Sequence, residues 1–427
     1  MRSKNIAAII LAAGRGERMK SDLPKALHPI CGRPMLGYVT DLVKGLNINK
    51  KVMILGYKHQ LLKEFVDKDT QVVIQKKLQE SADAVKQAQN KLKDFRGTVL
   101  VLYADNPLLT KEALKELIRY HRDNNPDTTL LTAKVEKPAG YGRILRDRYG
   151  SISGIVEEKD ADAYQKDIKE INIGCACFEK ESLFSTLRKV RRNNRKKEYY
   201  LTDAVDILYR AGARIESVKL LDLNEGQGIN SPKDLAKANK IMQARILNQH
   251  MENGVAIISA ETTFIDWNVK IGSETKIYPF TVIERGAKIG KHCSIGPFCH
   301  IREKTIIEDN SAIGNFSELA RCRIASHTLA KHFCYLGDAR IGKDVNIGAG
   351  VVTANFDGKN KNTTVIKDNA FIGSDTILVA PVKVGKGAAT GAGSVVTRRR
   401  NVADYTVVAG VPAKVIKKRE GESPWIN

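Results

Sequence analysis

Residues 6–13 are apolar without a break, and they run into Gly14-Arg15-Gly16-Glu17-Arg18-Met19, with Leu23-Pro24-Lys25 shortly after. Glycines that follow a strand let backbone N–H groups approach phosphate oxygens closely. Arg18 and Lys25 would add positive charge at that point, so the chemistry indicated is phosphate binding. The third glycine of a dinucleotide fingerprint is absent, and a bare Gly-x-Gly is also what an ordinary strand-to-loop turn looks like. A second apolar run, Thr98–Tyr103, leads to Asp105, which taken alone is a turn-forming aspartate. Cys175 and Cys177 form a C-x-C pair with no second pair nearby, which fits small buried hydrophobes in a strand better than a metal site.

These groups need elements to hold them. A chain of 427 residues is enough for two or three domains, each with its own core. Residues 1–230 alternate strand-like apolar runs with amphipathic stretches such as KEALKELIRYHR at 111–122. That grammar predicts an α/β domain with a mostly parallel sheet. A helix is expected next, capped by Ser231, with Pro232 at its first position and Asp234 in its first turn, ending near Gly254. From residue 255 the pattern changes. Isoleucine recurs at 265, 271, 277, 283, 289, 295, 301, 307 and 313, and the register then shifts and returns from Ile366. A strict six-residue period means a parallel β-helix, with the aliphatic residue inward and a following small residue letting the chain turn. The usual crossover rule predicts a right-handed coil.

The formal charge is +22, which favours anionic partners: nucleic acid, an anionic membrane or phosphorylated small molecules. The basic stretches 188–197, 398–400 and 414–419 carry no interleaved aromatics and no nucleic-acid motif. A solvated face or a field drawing in phosphates is therefore expected, with no specific nucleic acid as partner. The first apolar run is too short to cross a membrane and no cleavage site follows it, so neither membrane insertion nor secretion is expected. The seven scattered cysteines fit reduced thiols and a cytoplasmic location.

The longer string LAAGRGERMKSDLPKALHPICGRPML resembles the signature of sugar-1-phosphate nucleotidylyltransferases. It is most similar to the GlmU-type family, bifunctional N-acetylglucosamine-1-phosphate uridylyltransferases and glucosamine-1-phosphate acetyltransferases. The likeness continues through Tyr103-Ala104-Asp105-Asn106-Pro107-Leu108, Gly140-Tyr141-Gly142-Arg143, Glu157-Glu158-Lys159, Asn172-Ile173-Gly174 and Gly228-Ile229-Asn230. It implies a Rossmann-like nucleotidyltransferase domain at 1–230, a helical linker at 231–254 and a left-handed β-helix acetyltransferase domain at 255–427. Leu11, Ala12, Ala13, Gly14, Lys25, Gln75, Ser81, Asp105, Gly140, Glu157, Asn172 and Asn230 would hold nucleotide and sugar. Arg18 and Lys25 would be catalytic, and Asp105 and Asn230 would bind Mg²⁺. In this family the sugar phosphate attacks the α-phosphorus of UTP and pyrophosphate leaves.

In the second half, Lys331-His332-Phe333-Cys334-Tyr335-Leu336-Gly337-Asp338 resembles the family's acetyltransferase centre. The resemblance makes His332 the base that frees the attacking amine. Arg302, Tyr335, Asn346 and Lys361 would bind the acceptor sugar. Ala349, Asn355, Phe356, Ser374 and Ala392 fall at acetyl-CoA positions. It also implies a homotrimer of prisms with shared acetyltransferase sites. The sequence departs from the family at four points: Glu80 for a glycine, Ala320 for a lysine, Phe356 for a tyrosine and Gly410 for an arginine. Arg321 lies beside Ala320, but alternation along a strand would turn it to the other side of the rung. Two other readings stay open here. One is a broader sugar-1-phosphate nucleotidylyltransferase with an altered acyltransferase half. The other is a non-catalytic regulatory protein of the same build, against which Lys25, Asp105 and Asn230 argue.

Overall fold

A computed structural model describes residues 5–77, 79–191 and 198–418. Leu78, residues 192–197 of the first basic stretch and Arg419 of the last lie outside the described residues. The chain forms two compact units, Met1–Asn239 and Lys240–Asn427.

In the first unit the strands of the main sheet are β1 (Ile6–Ala12), β2 (Lys50–Leu55), β3 (Thr70–Ile74), β4 (Thr98–Tyr103), β5 (Thr128–Lys134), β6 (Arg143–Arg146), β7 (Ile152–Val156), β8 (Glu170–Glu179) and β9 (Ile215–Lys219). Along β1, Ala7, Ile9 and Leu11 join one hydrophobic cluster while Ala8, Ile10 and Ala12 join another. A strand apolar on both faces belongs in the middle of a covered parallel sheet, and β1 sits there. The order is β9-β5-β8-β4-β1-β2-β3, with β6 joining β8 to β7. All neighbours along that order pair parallel except β8, which runs antiparallel to β4 and β5. Cys175 and Cys177 lie fully buried on β8, where burial raises both thiols well above their usual range. They serve as core residues.

From β1 the chain first goes to β2 on one side and later returns as β4 on the other. The carboxyl ends of β1 and β4 therefore flank a topological switch point, where open α/β sheets bind ligands. The phosphate-loop string follows β1, and Asp105 follows β4.

The expected helix, α1 (Pro232–Glu252), is present. Ser231 Oγ accepts from the Asp234 amide, and the Asp234 carboxylate accepts from both Ser231 Oγ and the Asn230 amide. This cap fixes Asn230 at the helix entrance.

The second unit is a left-handed parallel β-helix with three sheets of ten, eight and seven strands. Eighteen residues make one coil: Ile265 pairs with Ile283 and Ile301, Ile271 with Ile289 and Ile307, and Ile277 with Ile295 and Ile313. Most of these isoleucines are fully buried, and burying each contributes about 1.5–3 kcal/mol.

The structure corrects the reading of the small residues. The sharp turn falls three residues after each isoleucine, at left-handed positions held by Gly286, with φ 73°, and by Asn268, Glu274, Phe280, His292, Phe298, Lys304, Asn310 and Phe316, with φ between 53° and 62°. Glycine after isoleucine serves coil stacking instead. A Cβ at Gly314 would lie 1.7 Å from the Lys331 carbonyl, and one at Gly348 2.6 Å from the Ser374 amide. Corner residues Phe280, Phe298 and Phe316 stack outside the prism, with centroids 4.7 and 4.9 Å apart, and remain about half exposed.

Candidate functional site

Each unit brings predicted residues together. In the first, Leu11, Ala12 and Ala13 are buried, Gly14 is open to solvent, and Gly16 takes φ 75°. A Cβ at Gly16 would also lie 2.6 Å from Lys25 Cβ. Glycine is thus required at 16 on two grounds, and its reward is the approach of Lys25. The Lys25 ammonium binds the Asp105 carboxylate and, at 2.7 Å, the Asn230 side-chain carbonyl. Arg18 donates to that same carbonyl at 2.7 Å. Backbone bonds set the meeting: the Ala104 amide donates to Leu11 O, and the Ile229 amide to Asp105 O. Arg18 and Lys25 from the loop after β1, Asp105 from the end of β4 and Asn230 from the entrance of α1 converge at the switch point.

Gln75, at the end of β3, is buried and donates to the Glu80 carbonyl and to the Asp83 carboxylate, at 3.2 and 2.8 Å. Ser81 Oγ accepts from the Leu201 amide. Glu80 takes φ 69°, a conformation that suits glycine and costs another residue on the order of 1–3 kcal/mol. Glu80 thus holds the left-handed position itself. On the far side, Glu157 accepts from the Thr202 hydroxyl at 2.9 Å and Asn172 from the Gly174 amide at 3.2 Å. The Gly140 amide bonds Glu158, whose carboxylate pairs with the buried Arg143 at 2.7 Å. A small cavity of about 20 Å³ lies against Tyr103, Asn172, Gly174 and Thr202. Thr202 is not among the residues the sequence singled out; it stands in Glu198-Tyr199-Tyr200-Leu201-Thr202-Asp203, just before the helix Asp203–Arg210.

In the second unit, strand register places His332 opposite Ala349, Ala349 opposite Ser374, and Ser374 opposite Ala392. The Asp375 amide bonds Ala349 O and the Gly393 amide bonds Ser374 O, continuing that ladder around the corner. His332 is exposed, and among the described residues its imidazole has no hydrogen-bond partner. The strand Cys334–Gly337 leads from this corner to the next, carrying Tyr335 on its outer side, with Leu336 inward. There the Asp338 carboxylate takes a two-pronged ion pair from Arg321, at 2.7 and 2.8 Å, and a further bond from Asn355. These partners hold Asp338 below the usual carboxylate range, the Arg321 hydrogen bonds most of all, with Lys361 adding to the effect.

Arg321 thus does not point to the far side of a rung. It lies past the strand Ser317–Ala320, at φ 52°, where alternation no longer applies. Arg302 bonds Glu318, which pairs with Tyr335. Phe356 is exposed on a loop held by Asp357, which accepts from Arg398 at 3.1 Å. Asn346 lies in a different sheet from Tyr335. Among the described residues no cluster of three or more His, Cys, Asp or Glu side chains forms a metal cage, and no helix is long and apolar enough to cross a membrane.

Residues 8–200 match the MobA-like NTP transferase domain. Residues 268–303, 286–321 and 363–398 match the bacterial transferase hexapeptide (six repeats). Curated relatives include the "Bifunctional protein GlmU" of Geobacillus sp. (strain WCH70), 42% identical across 91% of this chain and 92% of the relative. Its counterpart in Acetivibrio thermocellus is 39% identical across 97% of this chain and 96% of the relative. That of Enterococcus faecalis is 41% identical across 89% and 90%.

Proposed function

Because the chain belongs to the bifunctional GlmU family, it is a transferase with two activities, and we propose how its residues divide them. It makes UDP-N-acetylglucosamine: acetyl-CoA acetylates glucosamine-1-phosphate, and UTP then uridylylates the product with release of pyrophosphate. Residues 1–230 carry uridylyl transfer and residues 255–427 carry acetyl transfer, joined by the helix between them.

The convergence of Lys25, Arg18, Asp105 and Asn230 carries the first assignment. Uridylyl transfer asks a protein to align two anions and offset their charge. Lys25 and Arg18 do this at the triphosphate, beside amides of the loop through Gly14. Gln75 and Ser81 lie toward the base, and Gly140, Glu157 and Asn172 toward the sugar. Asp105 and Asn230 would hold Mg²⁺, which supplies further neutralisation of phosphate charge. Their chemistry fits the ion: a carboxylate and a carbonyl oxygen already share one cation, the Lys25 ammonium. Two protein oxygens suffice for Mg²⁺, which keeps waters and phosphate oxygens. Gly16→Ala should lower uridylyl transfer about tenfold by displacing Lys25, read as kcat/KM, and should also lower the Tm, because alanine is strained at a left-handed φ.

The ladder of exposed His332 with Ala349, Ser374 and Ala392 carries the second. His332 takes one proton from the ammonium group, the freed amine then forms the C–N bond as the C–S bond breaks, and the second amine proton goes to the departing CoA thiolate. Asn355 and Phe356 complete the acetyl-CoA side, and Arg302, Tyr335, Asn346 and Lys361 the acceptor side. The chain works as a homotrimer: the split of Asn346 from Tyr335 supports a site completed by another copy, and the exposed phenylalanine stack supports a covered face. Its nucleotide and acetyl-CoA substrates support a cytoplasmic location.

Incubating the purified chain with glucosamine-1-phosphate, acetyl-CoA, UTP and Mg²⁺ should release CoA, pyrophosphate and UDP-N-acetylglucosamine. N-acetylglucosamine-1-phosphate should bypass the need for acetyl-CoA, and chelation should stop the uridylyl step alone. Failure to uridylylate that bypass substrate would refute the first assignment.

A further inference from the structure

Two successive coils of the β-helix are each one residue short. The inward residues Leu319 and Ile324 are five apart rather than six, as are Leu336 and Ile341. Their corners fall at Arg321 and Asp338, both left-handed, with φ 52° and 48°. Because Ala320 pairs with Gly337 and Tyr335 with Val352, the two corners stack on each other and on Asn355. The shortening brings a cation, an anion and an amide to one line on the prism edge.

The pairing leaves Arg321 with a defined open side. Its Nε and Nη2 engage the two Asp338 oxygens, so the remaining edge of the planar guanidinium points away from the carboxylate. The side chain is about a quarter exposed. The Tyr335 hydroxyl also meets this guanidinium. Tyr335 itself covers Gly337, where a Cβ would lie 2.5 Å from the hydroxyl. Ala320, on the strand before, is fully buried and apolar. Asp338 spends both oxygens on Arg321 and Asn355, so it fixes the guanidinium instead of competing for a ligand. A guanidinium locked by one edge has lost its rotamer entropy before any ligand arrives, and the two of its five N–H groups that Asp338 and the Tyr335 hydroxyl leave over can still donate to phosphate oxygens.

We propose that Arg321 is the residue that recognises the phosphate of the acyl acceptor, on the outer face between His332 and Asp338. The inference rests on the acetyltransferase reading above. Tyr335 stands between the base and the guanidinium on the same strand, so an aminosugar spanning them presents its amine to His332 and its phosphate to Arg321.

The test compares glucosamine-1-phosphate with glucosamine as acetyl acceptors for the full chain. Arg321→Gln should raise the KM for glucosamine-1-phosphate about tenfold, the scale of one lost charge-assisted contact, and leave the KM for glucosamine and for acetyl-CoA unchanged. Arg321→Lys, which keeps the charge without the fork, should fall between. A purely structural ion pair would raise both acceptor KM values alike, and that result overturns the proposal, as does an unchanged preference. Should Arg321→Gln not fold, inorganic phosphate decides. It should compete with glucosamine-1-phosphate in the wild type and compete more weakly in Arg321→Lys; equal inhibition overturns the proposal. A wild-type chain that acetylates neither aminosugar refutes the acetyltransferase reading itself, which sets that failure apart from this one.

Discussion

His332→Ala is expected to lower acetyl transfer by about 10²–10⁴-fold, the range for loss of a positioned general base. An amine at neutral pH is mostly protonated, so some group must accept its proton before it attacks the thioester. His332 is the exposed ring on the corner ladder with Ala349, Ser374 and Ala392, and no described residue engages it. Its removal takes away no hydrogen bond that holds the coil, because the bond from Ser317 goes to the His332 carbonyl, which alanine retains. Stability should therefore be near wild type, and uridylyl transfer from N-acetylglucosamine-1-phosphate should be untouched. Separate assays of the two half-reactions decide the matter. Normal acetylation by the variant would end the assignment of His332 as base.

Asp105→Ala should cut uridylyl transfer by at least about 10²-fold while sparing acetylation. The carboxylate organises the meeting of Lys25 and Asn230 and is the charged member of the proposed Mg²⁺ pair. Without it the Lys25 ammonium keeps only the Asn230 carbonyl. Asp105→Asn separates these roles. It preserves shape and an oxygen donor, so it should retain more activity than alanine at saturating Mg²⁺ and need more Mg²⁺ to do so. Activity within a few-fold of wild type for Asp105→Ala would exclude it as ligand.

Much of this was legible in the residues. The unbroken apolar run placed β1 at the centre of the sheet, because only a strand buried on both faces tolerates it. The hexad period gave the β-helix, because an inward side chain must recur once per face. Ser231 and Asp234 announced the helix start that now holds Asn230. What the period could not tell was which residue turns the corner. Glycine after isoleucine looked like the hinge, yet its task is to admit the next coil, while Phe298 or Lys304 bears the left-handed φ. The same confusion hid Arg321. Strand alternation was applied one residue too far, past the end of Ser317–Ala320. The five-residue spacings at Leu319–Ile324 and Leu336–Ile341 were present in the sequence and would have located both partners of the ion pair. Glu80 shows the opposite limit: side-chain identity signalled bulk and charge, and only coordinates reveal that its backbone keeps a glycine-like φ of 69°.

A stack of parallel coils is in principle a polymer that could keep growing, since each finished coil offers the next a full row of unpaired N–H and C=O groups. Here the ten-stranded sheet ends on the strand Lys414–Lys418, which pairs with Thr406–Ala409 in the opposite direction. Reversal breaks the template, because an arriving coil of another molecule would have to add parallel to an antiparallel neighbour. All five residues of this last strand are exposed, and Lys414, Lys417 and Lys418 surround it with like charge. Lysines on an outermost strand repel a second one. Among the described residues, the short basic stretch thus closes this one of the three sheets to a further rung.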